Sequence, residues 1–307
     1  MRLILVLSAV VIVGALGFWF LTDPSLQRAD TEPIPAGQPD LANGQTLFYA
    51  GGCASCHATP GQDDKTRLGG GFALASGFGT FYAPNISPHP RDGIGGWTPE
   101  QFLRAMRGGV SPDGRHYYPS FPYTSYQRMN AADVRDVFAF IRTLPPVEGR
   151  ARAHDLPLVF TFRRGLGLWK LAFLDGEAFA PDAAKSPSWN RGAYLVEGPG
   201  HCAECHSPRN VAGAIDADRR FAGGPNPDGK GSVPNITPHP SGIGDWSRSD
   251  VAEVLGSGMT PEGDFVGGSM TAVVRNTSQL TDVDRQSMAE FILSLPARPS
   301  APRPKKD

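Results

Sequence analysis

Two five-residue stretches carry the clearest chemistry in this sequence: Cys53-Ala54-Ser55-Cys56-His57 and Cys202-Ala203-Glu204-Cys205-His206. C-x-x-C-H is the attachment signature of a c-type haem. Two intervening residues let one helical turn present both sulfurs along one edge of the macrocycle, each forming a thioether with a vinyl group. The histidine that follows is then placed beneath the iron as its axial ligand. A zinc ribbon would bring its two C-x-x-C pairs within roughly 15–20 residues of each other, and these pairs lie far further apart. A thioredoxin-like motif needs a βαβ setting and has no use for the histidine. The expectation is two covalently bound haems c. Cys53, Cys56, Cys202 and Cys205 attach them, and His57 and His206 ligate the irons.

The elements that must hold these motifs are themselves written twice. Asp40 can cap a helix through Leu41–Ala50 that ends at Gly51-Gly52, just before the first motif; Asn190–Val196 leads into the second. Gly69-Gly70-Gly71 returns as Ala222-Gly223-Gly224. Pro84-Asn85-Ile86-Ser87-Pro88-His89-Pro90 returns as Pro234-Asn235-Ile236-Thr237-Pro238-His239-Pro240, and Gly93-Ile94-Gly95-Gly96-Trp97 as Gly242-Ile243-Gly244-Asp245-Trp246. Thr98-Pro99-Glu100 starts a helix that stops at Gly108-Gly109. A further helix begins near Asn130 and carries Val134, Val137, Phe138, Ile141 and Leu144 on one face, halted by Pro145-Pro146. Met288, Phe291, Ile292 and Leu295 repeat that stripe near the end of the chain. Repetition on this scale means two copies of one module rather than a solenoid. The fold class expected is all-α: two tandem class I-like cytochrome c domains with long loops, at 40–146 and 189–297, behind an N-terminal transmembrane helix.

Composition agrees. The 307 residues suffice for two domains, a formal net charge of −1 argues against a nucleic-acid partner, and 37 glycines with 29 prolines suit short helices joined by turn-rich loops. All four cysteines are used by the motifs, so no disulfide is expected. Leu3–Leu21 is 19 apolar or small residues without a charge, long enough to cross a bilayer. Phe18-Trp19-Phe20 suits the outer interface, and no A-x-A-like cleavage site follows. Residues 1–22 are therefore read as an uncleaved anchor with Arg2 inside. Residues 23–39 are read as an extended linker and 298–307 as a disordered tail. The segment 147–188 is apolar at its centre but interrupted by Arg163, Arg164 and Lys170. It is read as an inter-domain linker packed over the junction or against the membrane surface, since charges at a bilayer centre are costly.

The PNI[ST]PHP and GIG-x-W repeats, the Asn190-Arg191-Gly192-Ala193-Tyr194-Leu195 approach and Pro208-Arg209-Asn210 after the second motif carry a resemblance. The chain resembles the multihaem cytochrome c subunits of membrane-associated bacterial alcohol, gluconate, sorbitol and aldehyde dehydrogenases. The likeness covers most of residues 40–296, with two modules where those subunits commonly have three. It implies a periplasmic electron carrier on the inner (cytoplasmic) membrane, not itself an enzyme. Its donor would be a periplasmic or membrane dehydrogenase, and its acceptor an oxidase or a soluble cytochrome. In that family the methionine corresponding to Met270, sixty-four residues after His206, is the distal iron ligand.

The same offset from His57 falls on Phe121, which cannot ligate iron. Met129 is the leading substitute for the first iron, with His116, Met106 and His89 as the other candidates. If none reaches in, the first iron is open, and a dihaem enzyme or small-ligand sensor becomes the alternative function. Smaller expectations concern the surroundings of the haems. The carbonyls of Pro60 and Pro208 orient the proximal imidazoles. Asn85 and Asn235 brace propionates or hold turns, and Trp97 and Trp246 reach a propionate or fill the core. His201 lies in a solvated loop.

Overall fold

Helix formation follows the caps and apolar stripes along the chain. The computed structural model describes residues 2–26, 32–226 and 231–302. Helix α1 (Arg2–Leu21) carries no charge after Arg2, is otherwise almost wholly apolar and buries none of its residues. It is long enough to cross a bilayer, a property shared by membrane anchors and signal sequences. Asp40 accepts from the N–H groups of Ala42 and Asn43 to start α2 (Leu41–Ala50). After Gly51-Gly52 the first motif forms α3 (Cys53–His57). Thr98 and Gln101 form a capping box for α4 (Pro99–Gly108), which closes on Gly109 at φ +59°. A short turn, α5 (Tyr123–Tyr126), precedes α6 (Ala131–Ile141), whose N-cap Asn130 accepts from Asp133 N–H.

The second half repeats this order after two short helices of the connecting segment, α7 (Leu158–Thr161) and α8 (Leu166–Phe173). Helix α9 (Pro187–Glu197) begins at its N-cap Ser186. Then come α10 (Ala203–His206), α11 (Arg248–Ser257), α12 (Ser269–Thr277) and α13 (Asp282–Leu293). In each half the helix before the motif crosses the last helix at a glycine. A Cβ on Gly44 of α2 would lie 2.1 Å from the Asp136 carbonyl oxygen of α6, and one on Gly192 of α9 would lie 1.8 Å from that of Ser287 in α13. Only glycine permits so close an approach. Around these crossings Leu47, Phe48, Val134, Val137 and Ile141 are buried in the first half, and Leu195, Met288, Phe291 and Ile292 in the second.

Four features depart from the sequence reading. The chain is mostly helical but has two antiparallel ribbons, β1 (Ala73–Ser76) with β2 (Gly79–Tyr82), and β3 (Gly224–Pro225) with β4 (Ser232–Val233). Two-residue and four-residue strands are too short to show alternation in sequence. Residues 32–39 are pinned rather than extended freely. Glu32 pairs with the buried Arg107 at 2.6 Å and accepts from Ala131 N–H at the start of α6, and Arg135 donates to the Pro35 carbonyl.

Residues 298–302, assigned to a disordered tail, lie against the second half. Asn235 Nδ2 donates to the Arg298 carbonyl at 2.7 Å, and the buried Ala301 donates to Ala222 O. Residues 303–307 of that tail, Met1, and 27–31 of the linker are outside the described residues. Finally, the 147–188 segment docks on the end of α1. Thr22 is fully buried, with Gly167 against its backbone and the Arg164 Nε donating to its hydroxyl.

Candidate haem-binding sites

Both Cys/Cys/His sets sit on single helical turns, α3 and the turn that continues into α10, as attachment along one haem edge requires. Cys53 and Cys202 are half-buried, and desolvation pushes each thiol up to about 12. Cys56 and Cys205 keep open surface, yet the surrounding protein, and then Cys205 itself, raises the Cys56 thiol. The two motifs meet at one junction, where His201, beside the second motif, bonds to Gly51, just before the first.

The imidazoles are set identically. His57 Nδ1 lies 2.8 Å from the Pro84 carbonyl oxygen, and His206 Nδ1 lies 2.9 Å from that of Pro234. A carbonyl only accepts, so Nδ1 carries the proton and Nε2 presents its lone pair. Burial lowers the pKa of both rings against the opposing pull of the carbonyls, favouring the neutral, ligating form. These donor sets fit a haem iron. Among the described residues no three His, Cys, Asp or Glu side chains converge on a bare ion.

The orienting carbonyls thus belong to the first residue of the repeated Pro-Asn-Ile motif, not to Pro60 and Pro208. Pro208 O instead accepts from Asp216 N–H. Glycine makes the approach possible: Gly70 (φ +72°) donates to His57 O, and a Cβ there would meet the Pro84 carbonyl at 2.5 Å. Gly223 (φ +73°) likewise donates to His206 O, and a Cβ there would lie 2.8 Å from the Pro234 carbonyl carbon. Asn85 and Asn235 then lock the motif. Asn85 Nδ2 donates to Val147 O at 2.7 Å and Gly149 O at 2.8 Å, while its Oδ1 accepts from Ser87 N–H. Asn235 ties Arg298 O and Thr237 N–H in the same way. Trp97 and Trp246 pack half-buried against the core.

The distal sides differ. Met270 stands at the start of α12, half-buried against the second core. Phe121, at the matching offset, packs among Tyr117, Tyr123 and Tyr126, with ring centroids 5.8, 6.5 and 5.5 Å away. Met129, the leading candidate for the first iron, instead precedes the N-cap of α6. It is 1% exposed and holds the place of Leu280 in the second half, where both residues close an equivalent turn, on Tyr126 O and Thr277 O. Its Cγ abuts Gly198 at the end of α9.

The other candidates are engaged as well. Met106 is core on α4. His116 Nε2 donates to Thr22 O at 3.0 Å, and burial lowers its pKa to about 4. His89 Nδ1 accepts from Asp92 N–H.

The junction between the motifs is more built than the sequence suggested. His201, expected in a solvated loop, adopts φ +40° and donates from Nε2 to Gly51 O at 3.2 Å, edge-on to the Tyr126 ring. Glu204, between the two cysteines of the second motif, accepts from Thr124 and Ser125 of the first half and pairs with Arg209 at 2.7 Å. Burial opposes its charge, but Arg209 and the hydroxyls outweigh that and hold the carboxyl below its ordinary range. Asn276 of α12 donates to Ser55 of the first motif.

Comparison with known proteins finds relatives of this chain. The cytochrome c family model matches residues 41–145. A protein named diheme cytochrome c-type from Cereibacter sphaeroides is 49% identical over 293 residues, covering 95% of this chain and 97% of that protein. The fructose dehydrogenase cytochrome subunit of Gluconobacter japonicus is 37% identical over 283 residues, 91% of this chain and 57% of the subunit. The gluconate 2-dehydrogenase cytochrome c subunit of Pantoea cypripedii is 31% identical over 299 residues, 94% of this chain and 64% of its own length. The chain therefore spans nearly all of the first relative and less than two thirds of the two dehydrogenase subunits.

Proposed function

The chain belongs to the dihaem c-type cytochromes, and we propose that it relays electrons from a dehydrogenase to the respiratory chain at the outer face of the cytoplasmic membrane. The observation that carries this reading is the pair of complete attachment sites joined at one junction, with Glu204 of the second motif accepting from Thr124 and Ser125 of the first half and His201 hydrogen-bonded to Gly51. Two tandem cytochrome c domains, 40–146 and 189–297, each hold one haem. The bound haems supply one-electron iron couples. The protein's part is to fix each imidazole through Pro84 or Pro234, exclude water, and keep the two sites close. The donor is a periplasmic or membrane dehydrogenase, and the acceptor an oxidase or a soluble cytochrome. The burial of Thr22 between the connecting segment and His116 of the first half supports retention of α1 as an anchor.

In this reading Met270 takes the distal position of the second iron and raises its potential. The first iron takes no methionine. Phe121 has no donor atom, and Met129, Met106, His116 and His89 are committed elsewhere. His154 and His201 are also engaged, through Tyr82 N–H and Gly51 O. The same observation favours a second property, binding of a small exogenous ligand at the first haem, which is compatible with a relay.

Pulse reduction of the purified dihaem protein tests the main reading. A single electron should redistribute from one haem to the other within the molecule, at a rate independent of protein concentration. Exchange that scales with concentration would contradict a relay within one chain.

A further inference from the structure

The connecting segment between the halves presents an apolar face with no partner inside the protein. Leu158, Val159 and Phe162 are 86%, 74% and 60% exposed, and Leu168 and Leu171 are about half exposed. Three cations lie in the same stretch, and each is turned back into the protein. Lys170 is fully buried, donating to Gly108 O and Gly109 O. The Arg163 guanidinium covers Tyr118, and Arg164 covers Trp19 while donating to Trp19 O and the Thr22 hydroxyl. The exposed face is left without these charges.

Its position is set by α1. Phe162 stacks on Phe18 with ring centroids 6.0 Å apart and planes 16° apart. Gly167 lies against the buried Thr22, where a Cβ would be 2.7 Å from its Cα. His116 donates to Thr22 O from the other side. Helix α1, at 1.5 Å per residue, is about 30 Å long, the thickness of the hydrocarbon core. If it spans a bilayer, Phe18 and Trp19 stand at the outer interface, where aromatic rings concentrate. Whatever stacks on Phe18 stands there too.

We propose that α7, the Arg163–Gly165 turn and α8 form an interfacial seat, with Leu158, Val159 and Phe162 immersed in the outer leaflet of the membrane that α1 spans. The inference rests on the anchored reading of α1. The occupant is lipid because the face is continuous with the spanning helix at interface depth. A single helix would leave the two haem domains free to swivel. A second contact, joined to the first through Arg164, Gly167 and Thr22, holds the faces of both domains at a fixed angle to the membrane.

The test uses full-length holo-protein in phospholipid vesicles. The native cysteines are consumed by haem, so nitroxides attach only at introduced thiols, in Val159→Cys, Leu158→Cys and, as a water-exposed reference on α13, Val283→Cys (Val283 is 73% exposed). Unchanged haem spectra verify folding. Power-saturation measurements should show the 158 and 159 labels accessible to oxygen and several-fold less accessible to a water-soluble nickel chelate than the 283 label. Nickel accessibility equal to that of the 283 label overturns the seat, as does protection from both reagents, which would mark a protein partner or second copy on the face. Flotation separates the two claims. Protein that floats with vesicles but has wet labels has lost only the seat, whereas protein that does not float has lost the anchor as well.

Discussion

The two halves of this protein share a proximal architecture and differ on the distal side. In both, the motif turn, a left-handed glycine, a proline carbonyl and an asparagine clamp recur with nearly the same distances, 2.8 and 2.9 Å for the imidazole bond. Sixty-four residues after its histidine, one half has Met270 at the start of α12, following Gly267-Gly268, and the other has Phe121 in a cluster of tyrosines. The proximal side does two jobs, attachment and orientation, and its parts interlock. The distal side contributes one atom, which can change without disturbing the fold. One scaffold can therefore hold two haems of different potential, which gives electrons a direction.

The largest effect that tests this comparison is on haem content. Replacing Cys202 and Cys205 with Ala should leave one denaturation-resistant haem per chain, and replacing Cys53 and Cys56 should leave the other, as mass spectrometry will read. Loss of both haems from either variant would mean that the halves are not independent in attachment.

Next comes potential. Met270→Ala should lower one of the two midpoint potentials by an appreciable part of the ~0.8 V range that axial ligands control, leaving the other in place. A shift of both by similar amounts would deny that Met270 belongs to a single haem.

Much of this was legible in the sequence because it is local. The caps at Asp40, Thr98 and Asn130 and the apolar stripe of α6 specify helices from within a few residues. The six attachment residues are read from spacing alone. What stayed hidden is contact between distant stretches. The Pro84 and Pro234 carbonyls lie 27 and 28 residues beyond their histidines, and backbone carbonyls carry no residue-type signal. The identical repeat of Pro-Asn-Ile after each motif was the clue. Likewise, Glu32 tying down 32–39 and Asn235 tying down Arg298 follow from tertiary partners that composition cannot show. Proline-rich stretches look free until the groups that bind them are known. Met129 invited a ligand role by its nearness to Phe121. In the structure it is buried beside an N-cap, at the place of Leu280.

A smaller effect should appear when the clamps are compared. Asn85→Leu and Asn235→Leu each strand buried backbone groups and should each cost about 2 kcal/mol in chemical denaturation, with weakened proximal bonding as a secondary loss. Equal penalties would support equivalence of the clamps; a neutral variant on one side would break it.

The smallest effect expected is the pH dependence that His116 adds to the first half. His116, keyed to Thr22, has its pKa lowered by burial to about 4 against 6.5 for an ordinary histidine. Between those values the unfolded chain binds a proton that the folded chain refuses. Stability is therefore retained above about pH 6.5 and falls as pH drops toward 4. Position 265 in the second half is Phe, in the matching bridge to Met259, so that half should lack this contribution. His116→Gln should make the acid limb shallower, leaving the part that His154 and His201, also lowered by burial, contribute, as thermal melts across this window will measure.

An asymmetric pair of irons, one with methionine sulfur and one without, has a direct optical signature. Oxidised methionine-ligated cytochromes show a weak sulfur-to-iron charge-transfer band, and its intensity per haem counts the sulfur ligands. Half the intensity of a fully methionine-ligated dihaem protein is expected, with complete loss in Met270→Ala and no change in Met129→Leu. Full intensity in the native protein, with half of it lost on Met129→Leu, would contradict the asymmetry.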